Sequence, residues 1–183
     1  MNRKGFTLIE LLAVIILLGI VLVFTVPNIL DTYKNSKLKT EKVFVDKLSD
    51  VIDGHIKLNS YEIEFNEEVD GKKCLEHTYE DDKEICTTDK TYTVKINKGE
   101  ILVSKIIEGK LISESDYINA GNKDVKCNIN AKIEVYKDSD YVYCHKVQAS
   151  ELACLTEEYI KSICPDENQT CYAIDTCVWE EAK

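Results

Sequence analysis

A single ionisable side chain, the carboxylate of Glu10, stands near the start of a long apolar run. The run reads GFTLIELLAVIILLGIVLVFTVPN from Gly5 to Asn28. An ionised carboxylate inside a membrane span costs a few kcal/mol on insertion scales, and a partner of opposite charge offsets that cost. Glu10 is therefore a candidate for an ion pair with a group of opposite charge.

The second group of reactive side chains is the cysteines, all of which follow the apolar run. They occupy positions 74, 86, 127, 144, 154, 164, 171 and 177. An even number in an exported domain predicts four disulfides, for which about 105 connectivities are formally possible. Zinc is the alternative, but there is no Cys-x-x-Cys pair, and Cys144 and His145 would point to opposite faces of a strand. We expect neither a metal nor a cofactor.

Motifs for catalysis are absent from the sequence. It contains no phosphate loop, no G-x-S-x-G and no H-E-x-x-H, and the histidines at 55, 77 and 145 stand apart. The acidic runs at 80–82, 157–158 and 166–167 lack the spacing of a calcium loop, although calcium binding by one of them stays open. We expect no enzymatic activity.

The apolar run has the length of a membrane span. Twenty residues without an ionisable side chain separate Glu10 from Asp31. As a helix they would extend roughly 30 Å, the thickness of the bilayer core. Arg3 and Lys4 precede the run, which predicts the amino terminus inside the cell and the rest outside. A secretory signal peptide is the alternative, but its apolar segment is shorter and ends at a small-residue cleavage site.

Beyond the run the pattern becomes amphipathic. Phe44, Leu48, Val51, Ile52 and His55 fall on one helical face, and charged residues occupy most of the other positions. This face indicates a helix that continues from the membrane, ends near residues 59–60 and packs on a soluble domain. A histidine on such a face is usually structural.

The remaining sequence predicts strands and two short helices. Alternating patterns predict strands at 61–65, 92–96, 131–136 and 141–145, the last two as a hairpin. Helices are expected at 100–108 and 156–163. The predicted fold class is α+β, with a long N-terminal helix, transmembrane and then amphipathic, packed on an antiparallel sheet stapled by disulfides. Its segments are a leader (1–5), a membrane or filament-core helix (6–30), a spine helix (31–60) and a globular head (61–183).

The amino-terminal residues carry a resemblance to a known family. Gly5-Phe6-Thr7-Leu8-Ile9-Glu10, followed by an apolar helix with Pro27, resembles the signature of type IV pilins and pseudopilins over about the first thirty residues. The resemblance implies that a prepilin peptidase cuts after Gly5 and methylates Phe6. It also implies that Glu10 pairs with the amine of Phe6 in a neighbouring subunit during assembly. The partners it implies are the peptidase, the pilus assembly machinery and other pilin subunits, in a homo-oligomeric or mixed filament.

Gly19 and Pro27 are candidates for a flexible point in the helix. Proline removes a backbone hydrogen bond and most often kinks a helix. Related filaments melt between a glycine and a proline in this region, and these two residues occupy suitable places. Melting and a simple kink both stay open.

The charge argues against nucleic acid as a direct partner. The formal net charge is −10, and removal of a leader with Arg3 and Lys4 leaves 21 basic against 33 acidic side chains, or −12. Such a chain repels phosphates at long range, and no basic stripe offsets this repulsion.

These observations lead to one hypothesis and two alternatives. The hypothesis is a structural subunit of a type IV pilus-like filament at the cell surface, with adhesion as a further role. The first alternative is a pseudopilin of a type II secretion or competence machine. The second is a membrane-anchored binding domain that never polymerises. The sequence does not distinguish a major subunit from a minor or tip subunit.

Helix geometry restricts the disulfide pairing. Cys154 and Cys164 flank the helix predicted at 156–163, so their Cα atoms would be about 10–15 Å apart, whereas a disulfide needs about 4.4–6.8 Å. The turn-rich loop 165–170 brings Cys171 back to Cys164, and the following residues carry Cys177 towards Cys154. The expected pairs are Cys164–Cys171, Cys154–Cys177, Cys74–Cys86 across an acidic loop, and Cys127–Cys144 beside the hairpin.

Overall fold

A computed structural model of the protein describes residues 8–74, 77–80, 83–86, 91–120, 125–139, 141–166 and 169–181. The backbone alone is described at 24–28, 74, 77–80, 83–86, 91, 119–120 and 180–181. The chain forms two compact units, Met1–Thr40 and Glu41–Lys183. One helix of 52 residues, α1 (Leu8–Asn59), contributes to both.

The first unit consists of the amino-terminal part of α1. Its described side chains from Leu8 to Val23 are all exposed, and nearly all are apolar. The helix runs without interruption through Gly19 and Pro27. Among the residues that the structure describes, no helix is long and apolar enough to span a membrane.

The second unit contains the rest of α1 together with the predicted head (61–183), and its described residues form eight strands and four short helices besides α1. The strands are β1 (Phe65–Cys74), β2 (His77–Glu80), β3 (Lys83–Cys86), β4 (Thr91–Leu102), β5 (Lys132–Lys137), β6 (Tyr143–Gln148), β7 (Tyr172–Asp175) and β8 (Trp179–Glu181). The helices are α2 (Val103–Glu108), α3 (Glu114–Ala120), α4 (Ala149–Leu152) and α5 (Glu157–Ile163). The predicted combination of a long N-terminal helix, an antiparallel sheet and disulfides is therefore confirmed.

Six strands form one antiparallel sheet in the order β7-β6-β5-β4-β1-β8, and β2 pairs with β3 separately. The two edge strands, β7 and β8, are joined by residues 176–178 alone. A flat sheet would separate them by roughly 24 Å, but four residue steps span at most about 14 Å. The sheet must therefore curl so that its edges approach each other.

A small apolar cluster includes Trp179, the first residue after this connection. It contains Ile96, Tyr136 and Trp179, with the bonded pair Cys144 and Cys177 packed against it. The rings of Tyr136 and Trp179 meet edge to face, with centroids 5.0 Å apart. This cluster is the core of the curled face.

The other face of the sheet packs against α1. Phe44, Leu48 and Ile52 are buried, as the periodicity predicts, and Ile56 extends the same stripe by one turn. Val51, also predicted on this face, is only partly buried. On the sheet, the fully buried side chains of this core are Ile133, Val135 and Val147.

Three predicted elements are wrong in their bounds. The strand predicted at 141–145 begins only at Tyr143 and continues to Gln148, because Tyr141 has a left-handed backbone with φ 61°. Residues 61–65 do not form a strand, because Ser60–Glu62 is a 3-10 helix and β1 begins at Phe65. The helix predicted at 100–108 begins only at Val103, because β4 continues to Leu102 in its pairing with β5. Helix α5 and its cap at Thr156 are as predicted.

Candidate functional site

The residues of the amino-terminal motif lie only partly within the described chain. Glu10 is in the first turn of α1 and its side chain is exposed. Gly5 and Phe6 lie outside the described residues, so cleavage, methylation and the Glu10–Phe6 contact stay predictions. Gly19 faces open space, since a Cβ added there would meet nothing within 4 Å beyond the backbone of its own helix. The side chain of Pro27 is outside the described part.

The first unit presents a continuous apolar surface. Its large apolar side chains between Leu8 and Val23 are between 44% and 83% exposed. Monomeric soluble proteins rarely expose so much contiguous apolar surface. The first unit therefore has the surface of an element that is covered by lipid or by other helices.

In the head, a buried carboxylate joins α1 to α5. Glu41 has no exposed surface, and its carboxylate accepts hydrogen bonds from the hydroxyl (2.7 Å) and the backbone N–H (3.3 Å) of Thr156. The Thr156 Oγ1 in turn accepts from the backbone N–H of Tyr159 and caps α5. One threonine thus donates to a buried carboxylate and caps the first turn of α5.

A second polar link joins α1 to β6 through His145, which is fully buried. Its Nδ1 lies 3.1 Å from Asp53 Oδ1, and its Nε2 lies 3.2 Å from Ser49 Oγ. Because a carboxylate can only accept, Nδ1 carries the proton, and Nε2 of the neutral ring accepts from the Ser49 hydroxyl. Burial lowers the pKa of His145, and the nearby charges of Asp53 and Asp175 oppose that shift.

Ser49, His145 and Asp53 have the composition of a catalytic triad but not its surroundings. Ser49 lies inside α1, where backbone N–H groups are engaged in the helix, so none is available for an oxyanion. The burial also differs from that of a catalytic triad, in which the aspartate is buried. Here the histidine is buried and the Asp53 side chain is 44% exposed. The three residues form a hydrogen-bonded link between helix and sheet.

His55 is buried, as the apolar face of α1 predicts. Its Nδ1 lies 3.3 Å from Asn59 Nδ2 at the end of the helix. Burial lowers the pKa of His55, with the charge of Glu62 acting in the opposite direction. These contacts are those of a structural side chain.

Three disulfides are described, and two predicted pairs are wrong. The structure joins Cys127 to Cys154 and Cys144 to Cys177, in place of the predicted Cys127–Cys144 and Cys154–Cys177. Cys164 bonds to Cys171, the pair that the sequence predicts. The side chains of the remaining predicted pair, Cys74 and Cys86, lie outside the described part.

The path of the chain on either side of β6 explains why these two pairs differ from the predicted ones. Asn128 binds the end of α4. Its backbone N–H donates to the carbonyl of Leu152 (3.0 Å) and its side-chain amide donates to the carbonyl of Glu151 (3.2 Å), so Cys127 lies beside Cys154. At the other end, the N–H of Thr176 donates to the carbonyl of His145 (3.0 Å). Cys177 is thereby held beside Cys144 on β6.

The turn between β5 and β6 holds an exposed aromatic ring in a costly conformation. Tyr141 is 70% exposed and has φ 61°, a left-handed value that costs most residues roughly 1–2 kcal/mol. Buried Asp138 braces the turn, accepting from the N–H of Val142 (2.9 Å) and pairing with Lys73. The Nζ of Lys137 lies over the ring of Tyr141, 4.1 Å from its centroid.

Two further rings approach the same ammonium. The Lys137 Nζ lies 5.8 Å from the ring centroid of Tyr143 and 5.9 Å from that of Phe65. These distances are within the range of cation–π contacts. Phe65, Lys137, Tyr141 and Tyr143 are called the Tyr141 patch below.

Surface cavities of the head are lined by charged residues. One of about 390 Å³ is lined by Glu62, Glu64, Asn66, Glu67, Lys98, Gly99 and Glu100. Its lysine is ion-paired with Glu134 at 3.1 Å. Within the described residues, no group of three or more possible ligands could hold a metal ion.

Comparison with known families decides the character of the amino terminus. Residues 1–26 match the family model described as the prokaryotic N-terminal methylation motif. The chain carries the type IV prepilin signal. The prepilin signal supports a type IV pilin-like or pseudopilin protein, and it implies processing by prepilin peptidase and handling by a pilus assembly machinery. No curated protein and no solved structure matches the chain.

Sequence reasoning found the prepilin signal but missed the polar links of the head. Glu41 and Thr156 are 115 residues apart, and Ser49 and His145 are 96 apart. The one available signal for Glu41 was its position three residues before Phe44, on the side of α1 that faces the core. Nothing in the sequence indicated that Asp138 would be buried.

Proposed function

We propose that this protein is a structural subunit of a type IV pilus-like surface filament. In this proposal prepilin peptidase cuts after Gly5 and methylates Phe6, and the subunit then assembles through its amino-terminal helix. The observation that carries the proposal is the prepilin signal at residues 1–26, within which α1 begins at Leu8 and exposes its apolar side chains.

Before assembly, we propose that the helix is held in the membrane with its amino terminus inside the cell. The charge-free run between Glu10 and Asp31 supports this topology, as do Arg3 and Lys4 in front of it. In the filament, the same apolar surface would be covered by the helices of neighbouring subunits.

The head would form the outside of the filament. Its disulfides and its two buried polar links to α1 suit a domain that must stay folded outside the cell without chaperones. The proposal assigns the head a structural role and no catalytic step. With 21 basic and 33 acidic side chains after processing, direct binding of nucleic acid is disfavoured.

Electron microscopy of material sheared from cells tests the proposal. Long filaments labelled by an antibody against the head would support a pilus subunit. Short membrane-associated assemblies with the same processed subunit would instead support a pseudopilin. Processed protein that stays monomeric in the membrane, with no labelled filament, would contradict both.

A further inference from the structure

We propose that a cavity beside the carboxy-terminal end of α1 binds a basic side chain of a partner peptide. The cavity has a volume of about 480 Å³ and is lined by residues of α1, β4 and α2 and of the segment that joins α1 to β1. In the complex, the cation of the ligand pairs with Glu62 and Glu100, and a peptide carbonyl accepts a hydrogen bond from His55. All of these residues lie in the second unit, so the site does not depend on the proposed filament.

The first argument is a buried donor that faces the cavity. His55 is only 4% exposed, yet it lines the cavity. The Nδ2 of Asn59 can only donate, so the Nδ1 of His55, 3.3 Å away, accepts and the ring proton is on Nε2. Nε2 has no partner among the described residues, where no side-chain N or O atom is sealed from solvent without one. Nε2 therefore opens into the cavity, where its N–H is available to an acceptor oxygen of a ligand.

The second argument is the charge of the cavity walls. Glu62 and Glu100 also line the neighbouring cavity of about 390 Å³. The walls of the two cavities and their ion-pair partners hold six glutamates, at 62, 64, 67, 100, 108 and 134, and three lysines, at 98, 105 and 132. Each of the three lysines is already ion-paired, at 3.0–3.2 Å. The remaining negative charge favours a cationic ligand and disfavours an anionic one.

The third argument is the apolar part of the same walls. Ile63, Ile101 and Leu102 line the cavity together with the charged residues. The aliphatic stem of a lysine or arginine packs on apolar surface while its cation stays among polar groups. In a peptide, such a side chain also comes with a backbone carbonyl, the acceptor that His55 requires. A basic side chain in a peptide thus matches the donor, the carboxylates and the apolar wall at once.

NMR titration of the full chain in neutral detergent, with its histidines labelled with ¹⁵N, tests the proposal. The ligand is acetyl-Ala-Lys-Ala-amide, and the matched control peptide has norleucine in place of lysine, which keeps an aliphatic stem and removes the ammonium. The signal that disappears in His55→Gln identifies His55. We expect the lysine peptide to shift this signal with an affinity about twofold to fivefold above that of the norleucine peptide, and to bind more weakly as salt is added. His145, whose two ring nitrogens both have partners inside the fold, should not shift.

Two variants and two controls locate the site. Glu62→Gln and Glu100→Gln should each weaken binding of the lysine peptide about twofold and reduce its preference over the norleucine peptide. Glu158→Gln, at an exposed carboxylate on α5, should bind like the wild type. Tyr141→Asn removes the exposed ring of the Tyr141 patch and keeps a residue that tolerates the left-handed backbone. It should also bind like the wild type.

Four results would overturn the proposal. They are a ring proton on Nδ1 of His55, equal binding of the two peptides, unchanged binding by both glutamate variants, and no shift of the His55 signal at any peptide concentration reached. Weaker binding by Tyr141→Asn would likewise contradict it, because the cation would then lie on that ring. Emission from Trp179, the single tryptophan, reports whether each variant is folded.

Discussion

The hydroxyl of Thr156 lies 2.7 Å from the carboxylate of Glu41, a residue 115 positions earlier that has no exposed surface. Through this bond the carboxy-terminal part of the head is tied to the long helix. Breaking the contact by removing one partner leaves a buried charge with fewer hydrogen bonds, which is costly.

The first prediction is that Thr156→Ala lowers the free energy of unfolding of the head by about 1–3 kcal/mol, because Glu41 loses a donor and α5 loses its cap. Thr156→Ser keeps the hydroxyl and is the matched control. Denaturant unfolding of the full chain in detergent, followed through Trp179, measures both. Equal stability of the two variants would show that the hydroxyl contributes nothing.

The second prediction concerns pH. Burial lowers the pKa of His145 below its unfolded value, so the folded head disfavours the charged ring. Its contribution to stability is complete above about pH 6.5 and is lost as the pH falls from there towards the folded pKa. We expect the unfolding free energy to fall on acidification from pH 7.5 to 5, and less steeply in His145→Gln. His55→Gln identifies the share of His55, the second buried histidine among the described side chains, whose pKa is also lowered by burial. A His145→Gln curve parallel to the wild type would refute the assignment.

The third prediction is the disulfide pattern. Non-reducing peptide mapping should recover Cys127 linked to Cys154, Cys144 to Cys177 and Cys164 to Cys171. A peptide that joins Cys154 to Cys177 would contradict the curled sheet, because Cys177 could not then lie beside β6.

The fourth prediction is that Glu10→Val leaves insertion and processing intact but lowers the yield of filaments. The span stays apolar, and insertion becomes easier by up to a few kcal/mol, while the proposed pair with the Phe6 amine is lost. Ile9→Val is a control that changes a neighbouring apolar side chain and keeps the carboxylate. Shearing yields from cells with each variant as the sole subunit measure the effect. A normal yield from Glu10→Val would rule out the proposed role of this carboxylate in a major subunit.

Local patterns in the sequence predict part of this fold. The spacing of Phe44, Leu48 and Ile52 identifies the buried face of α1, and Thr156 before two glutamates identifies the start of α5, because both signals act within a few residues. The strand at 61–65 was wrong because an alternating pattern also fits the irregular chain between α1 and β1. The pairing of the cysteines depends on where the chain returns after β7, and the curl of the sheet decides that.

The candidate site shows the same division between local and distant contacts. The prepilin signal is contiguous in sequence and was found directly. The links of Glu41 and His145 to their partners, and the position of Lys137 among three rings, join residues from different strands and helices. Composition and periodicity do not contain that information.

Intact-mass measurement and N-terminal sequencing of the protein purified from its own cells test directly whether the chain is cut after Gly5 and methylated at Phe6. We expect a mature chain that begins at Phe6 with one added methyl group, and we expect Gly5→Val instead to accumulate as uncut protein that retains Met1. The contradicting result is a wild-type chain that keeps residues 1–5, or a Gly5→Val chain that begins at Phe6 in normal yield.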